Sequence, residues 1–107
     1  MNKEIILGYY ELMEVLKGEK YSLAGVRAYV FCKVNSGTER ETCRRIAEYP
    51  FVLEACIVYG EYDLIVEIYA ENLEELDSAT EEIRRIPSIA YTSTMIVGRK
   101  FRKRKER

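Results

Sequence analysis

Apolar positions recur every second residue in some stretches of this chain and every third or fourth in others, with proline, glycine and asparagine at the joins. From Asn2 to Gly18, Ile5, Tyr9, Leu12 and Leu16 stand at helical spacing. That spacing predicts a helix within residues 1–20, with Asn2 as cap and Gly18 as stop. Gly8 costs this helix about 1 kcal/mol relative to alanine, and a strand from Ile5 to Tyr10 is the competing reading. Residues 26–34 alternate, with Val26, Ala28, Val30, Cys32 and Val34 on one face and Arg27, Tyr29, Phe31 and Lys33 on the other. They predict a strand. After Asn35-Ser36-Gly37, Thr38 and Glu41 have the spacing of a capping box. The helix they open carries Cys43, Ile46 and Ala47 as its inner stripe and stops at Pro50. Residues 52–59 and 62–69 predict two further strands, paired as a hairpin through a tight turn at Gly60-Glu61. Asn72 and Glu75 open a second helix whose inner face is Leu73, Leu76, Ala79, Thr80, Ile83 and Ile86. Pro87 ends it, and residues 89–97 form the last strand.

The order from residue 26 to 97 is therefore β-α-β-β-α-β. Arg44-Arg45-Ile46 and Arg84-Arg85-Ile86 each close a helix before a proline and a strand, so the two halves echo one another. The fold class expected is α+β and ferredoxin-like: a four-stranded antiparallel sheet with two helices on one face, plus the N-terminal helix. Two helices cover only one side of such a sheet. The other side should be polar if it meets water, yet it is expected to carry Tyr29 and Phe31 from the first strand and Ile65 and Tyr69 from the third, with Glu67 the charged exception. On the last strand both alternating sets are rather apolar: Ile89, Tyr91, Met95 and Val97, or Ala90, Thr92, Thr94 and Ile96. Such a patch seldom stays exposed on a monomer. A homodimer packed sheet to sheet is expected, with Tyr29, Phe31, Ile65 and Tyr69 in its interface.

Composition narrows the chemistry. At 107 residues and 12.5 kDa, the chain has the mass of one domain. No apolar run reaches the ~20 residues that span a bilayer, and no signal-peptide core follows Met1, so a cytoplasmic location without membrane attachment is expected. There is no histidine, which removes the commonest general base and metal ligand. Cys32, Cys43 and Cys56 match no zinc or redox spacing and are expected to be small core residues. No nucleophile–base pair and no phosphate-cradling loop is visible, so neither an enzyme nor a cofactor is expected. Glu71, Glu74, Glu75, Glu81 and Glu82 have the pattern of a solvated helix face.

Net charge is −1 but unevenly spread: residues 99–107 carry seven basic and one acidic side chain, and the other residues ten basic and seventeen acidic. The tail is expected to be disordered, and to attract either nucleic acid or the acidic body of a neighbouring subunit. RNA-recognition modules place stacking aromatics on the same sheet face. Here, though, Tyr62 to Tyr69 contains two acids and no lysine or arginine, a poor surface for phosphates.

Gly60-Glu61-Tyr62-Asp63 is the most informative segment. It reads structurally as a turn, with glycine at positive φ and Asp63 bonded to nearby amides. It reads functionally as a pair of charge holders: turn amides for a carboxylate and acids for an ammonium, the two fixed charges of a free amino acid.

The stretches Val58-Tyr59-Gly60-Glu61-Tyr62-Asp63-Leu64-Ile65-Val66 and Ile86-Pro87-Ser88-Ile89-Ala90-Tyr91-Thr92-Ser93-Thr94-Met95-Ile96-Val97 resemble the effector-binding (RAM) domain of Lrp/AsnC transcription regulators. A Gly-x-x-Asp hairpin and a Thr-x-Thr last strand carry the resemblance, and residues 26–97 follow the whole layout. Ser88 departs from the pattern, since many members have glycine there. Twenty-five residues before the first strand are too few for the family's helix-turn-helix reader, so the expectation is a stand-alone RAM domain without sequence-specific DNA binding. Ile6-Leu7-Gly8-Tyr9 is similar to the family's linker strand. An ACT-type domain shares the layout, but its glycine-rich bend after the first strand is represented only by Gly37.

The resemblance implies an amino-acid sensor and oligomerisation module in transcription regulation or amino-acid metabolism, forming dimers and higher homo-oligomers. Its effector site would comprise Gly60, Glu61, Tyr62 and Asp63 with Thr92, Ser93 and Thr94, where dimers meet. The alternatives are a pure assembly domain co-assembling with a full-length Lrp/AsnC regulator, or a nucleic-acid-associated protein using its basic tail.

Overall fold

In the computed structural model, residues 25–101 and 103 are described; the predicted N-terminal helix and the alternative strand lie outside them. The elements are β1 (Val26–Val34), α1 (Glu39–Ala47), β2 (Val52–Ile57), β3 (Leu64–Ala70), α2 (Leu73–Arg84) and β4 (Ile89–Ile96). The sheet order is β2-β3-β1-β4, with every neighbouring pair antiparallel. This is the ferredoxin-like βαββαβ arrangement expected from the periodicity.

The core lies between the sheet and the helices. Ala28, Val30 and Cys32 of β1 stand opposite Ile68, Val66 and Leu64 of β3, and all six are fully buried. Ile46 from α1 and Leu76, Ala79 and Ile83 from α2 close over them. Each valine, leucine or isoleucine among them contributes about 1.5–3 kcal/mol by leaving water.

Several local expectations are corrected. Thr38 does not cap α1: its hydroxyl donates to the Asn35 carbonyl at 2.6 Å, which keeps it from the helix amides. Gly37, at φ 88°, makes the preceding turn, a conformation that favours glycine. The inner stripe of α1 is Thr42 and Ile46, one turn apart, with Cys43 half-buried and Ala47 exposed. Asn72 does cap α2, accepting from the Glu75 amide at 2.8 Å, while Glu75 reaches back to the Glu71 amide at 3.0 Å. Leu73, the first residue of α2, is 61% exposed rather than part of the inner face. It lines a surface groove with Thr94 and Ile96.

The cysteines behave differently from one another. Cys32 is buried, Cys43 intermediate, and Cys56 exposed. Cys56 lies on edge strand β2 opposite Ile65, on the face the helices leave open, so it is not a core residue. Burial, and less so the neighbouring Cys43, pushes the Cys32 thiol up to about 12. Its folded value exceeds the unfolded one, so its contribution to stability is complete below the ordinary thiol range and is lost as pH rises through it toward 12. Cys32→Val should therefore flatten the decline in stability above pH 9, measured by urea unfolding. A thiol-alkylating reagent should label Cys56 first and Cys32 only on unfolding.

Candidate ligand site at the β2–β3 hairpin

The hairpin is wider than a tight turn. β2 ends at Ile57 and β3 begins at Leu64, and the connection closes through Val58 N–H to the Asp63 carbonyl at 2.9 Å. Gly60 has φ 158°, a positive value that side-chain-bearing residues rarely adopt, so the turn uses glycine there as expected. Asp63 anchors the loop to a different strand. Its N–H donates to the Cys32 carbonyl at 2.8 Å, and its Oδ2 accepts from the Val34 amide at 2.9 Å. The carboxylate thus bonds across to β1 rather than to amides of its own turn.

Above this anchor Tyr62 turns over the open face of the sheet. Its ring meets Phe31 at 5.4 Å and stacks on Tyr91 at 6.3 Å, nearly parallel. Lys33 donates from Nζ to the Glu61 carbonyl at 2.7 Å and lies 6.0 Å from the Tyr62 ring. With the loop held at both ends and in the middle, the backbone N–H groups of Gly60, Glu61 and Tyr62 make no hydrogen bond to the described residues. Successive amides without an acceptor are available to an anion.

Strand register decides which residues of β4 join this surface. Lys33, Phe31 and Tyr29 pair with Tyr91, Ser93 and Met95, which puts these three on the open face. Thr94 and Thr92 pair with Val30 and Cys32, on the helix side, and Thr92 Oγ1 accepts from Arg84 Nε at 3.2 Å. So the structure brings Gly60, Glu61, Tyr62, Asp63 and Ser93 to one side and separates Thr92 and Thr94 from them. A bulge between Lys33 and Val34 turns Ile89 back toward the core, breaking its expected alternation with Tyr91. The sequence reading missed Lys33 and Tyr91 as hairpin neighbours. Alternation places both on the open face, but only the β1–β4 register sets them side by side.

The open face carries Tyr29, Phe31 and Ile65 as expected, with Tyr91 at 55% and Met95 at 59% exposure. Tyr69 is corrected: it is 4% exposed within the protomer and so offers little surface to a partner. Its hydroxyl packs so close to Gly25 that a Cβ there would collide with it, and Arg27 lies 5.4 Å from its ring. Glu67 is also buried and pairs with Lys100 at 3.2 Å, while Lys100 lies 5.8 Å from the Tyr29 ring. The start of the basic tail is therefore held on the sheet.

Ser88, the departure noted above, shares a 2.6 Å hydroxyl contact with Thr42, and its carbonyl accepts from the Asn35 amide at 2.9 Å. It ties the turn before β4 to α1 and β1. Among the described residues, no cluster of three or more metal-ligating side chains occurs. No described helix is long and apolar enough to cross a membrane.

The described residues thus form a two-layer ferredoxin-like domain in which hairpin amides without a partner among those residues lie beside an open, largely apolar sheet face. The family model described as the Lrp/AsnC ligand binding domain matches residues 27–106, and the chain belongs to that family. It is 37% identical over 70 residues to the HTH-type transcriptional regulator FL11 of Pyrococcus horikoshii, covering 65% of this chain and 46% of that protein. The chain thus spans about half the length of this curated relative. The crystal structure of hypothetical protein PHS023 from Pyrococcus horikoshii superposes with a TM-score of 0.65 at 43% identity, covering 70% of this chain and 92% of that one. A homocitrate synthase of Sulfurisphaera tokodaii is 34% identical over 72 residues, 67% of this chain and 15% of the enzyme.

Proposed function

We propose that this domain senses a free α-amino acid and couples its binding to assembly, and that it contributes this response, rather than DNA-sequence reading, to transcription regulation or amino-acid metabolism. The observation that carries the reading is the trio of amides at Gly60, Glu61 and Tyr62, which find no acceptor among the described residues and lie in a loop braced by Asp63 and Lys33. In this reading they take the effector carboxylate, with the Lys33 ammonium beside them. The exposed Glu61 carboxylate, the second oxygen of Asp63 and the Ser93 hydroxyl surround the effector ammonium. Tyr62 and Tyr91 offer an apolar floor. Thr92 and Thr94 belong to this site only if a neighbouring subunit supplies them. Related stretches in a transcription regulator and in an enzyme support the reading, because a small-molecule response serves both.

Calorimetry against the twenty amino acids, with solution mass followed in parallel, tests it. Saturable heat with one or a few of them and a change in assembly size is the expected result. Silence on both measures would leave a pure assembly domain, a reading favoured by Asp63 being already engaged with Val34.

The dimer belongs to the same proposal. Two protomers meet through the open faces, Phe31, Ile65, Tyr91 and Met95 against their counterparts, an isologous contact of about 800 Å² per partner. Met95→Glu puts a carboxylate at an exposed position of that surface without touching the core. It should lower the mass in light scattering and leave the thermal midpoint of the protomer within a few degrees.

A further inference from the structure

We propose that the basic C-terminal segment of one copy docks through Phe101 into an acidic-rimmed apolar groove of a second copy, between α2 and the segment leading into β2. The groove encloses about 390 Å³ and is lined by Tyr49, Phe51 and Ala79, with Glu75, Ser78 and Glu82 from α2. Tyr49 and Phe51 stack at 5.0 Å, forming a flat aromatic wall. Glu75, Ser78 and Glu82 follow one another at about one per turn along α2, all exposed. The groove is therefore apolar inside and negative along one edge, of a size that accepts an aromatic ring and the aliphatic stems beside it.

The segment has the complementary character. Phe101 is 84% exposed and stands between Arg99-Lys100 and Arg102-Lys103 in the sequence. Arginine and lysine stems can lie along an apolar wall while their charges reach carboxylates at its rim. The charges match on a larger scale too, since residues 99–107 sum to +6 and the other residues to −7.

Geometry favours a second copy over the chain's own groove. Lys100 is held by Glu67 and lies over Tyr29, on the face opposite the helices, whereas the groove opens beside α2. Phe101 follows Lys100 directly and is presented outward from that face, 84% exposed, rather than seated in its own groove. One surface meets a different one, so the contact is heterologous and extends or closes an assembly independently of sheet-to-sheet pairing. It requires no effector, and its failure would leave the sensor reading untouched.

A labelled peptide spanning residues 97–107, titrated into full-length Phe101→Ala protein, measures the contact directly. Saturable binding is expected, weakened at least tenfold by Ser78→Trp, which fills the groove, by Glu82→Lys, which reverses its rim, and by replacing the peptide's phenylalanine with alanine. Raising salt should weaken it further. In light scattering, Phe101→Ala and Ser78→Trp should each lower the mass of the full chain, and mixing the two should restore part of it, because one keeps the groove and the other the tail. Equal peptide affinity across the groove variants overturns the proposal. So does peptide binding with no mass difference between the wild-type chain and Phe101→Ala, which would place the tail in its own protomer. Peptide binding only when nucleic acid is present would also overturn it.

Discussion

Leu64→Ala should lower the unfolding free energy by about 3–4 kcal/mol, within the range for burying-site leucines. Leu64 has no exposed surface and stands between Cys32 on β1 and Ile57 on β2, so truncation leaves a void roofed by the helices. Close-packed surroundings collapse only partly into such a void, and the cavity term adds to the lost transfer energy. Against a total stability of about 5–15 kcal/mol for a domain of this size, the loss is severe. At several degrees per kcal/mol, the thermal midpoint should fall by roughly 10–20 °C. Leu64 follows Asp63 directly, so amide exchange at Gly60 to Tyr62 should also quicken. A midpoint within 3 °C or so of the parent would mean that the sheet–helix core is not organised around this residue.

Removing the anchor itself should have the second-largest effect. Asp63→Ala leaves the half-buried Val34 amide without its acceptor, which costs about 1–3 kcal/mol. It also frees the hairpin from β1. Asp63→Asn keeps an oxygen at the same position and should recover most of that stability, since a neutral acceptor still satisfies the amide. The two variants separate stability from binding. If an acid at Asp63 helps hold the effector ammonium, both should weaken effector binding tenfold or more in calorimetry. Binding retained by Asp63→Asn would restrict the residue to bracing the loop.

Much of the fold was readable from spacing. The alternation of Val26 to Val34 gave β1 its boundaries, and Pro50 and Pro87 marked the ends of the two helical segments. Local rules failed where a competing partner was nearby. Thr38 has the capping spacing but bonds Asn35 instead, and Leu73 sits at helical spacing but beyond the turn that reaches the sheet. The hairpin was legible as a location and not as a geometry, because its brace comes from Val34 and Lys33, some thirty residues earlier in the chain. Tyr69 followed the alternation faithfully and still proved covered, since alternation assigns a face and says nothing of what lies on it.

By itself the sequence determined the element order, the inward set of the core strands and the place of the hairpin, because periodicity and turn residues act over a few neighbours. Only the tertiary structure decided that Tyr91 and Ser93 join the hairpin while Thr92 and Thr94 turn toward α2, and that Lys100 returns to the sheet. Those choices depend on strand register and on distant partners. A shift of one residue would exchange the two faces of β4 without changing any local pattern.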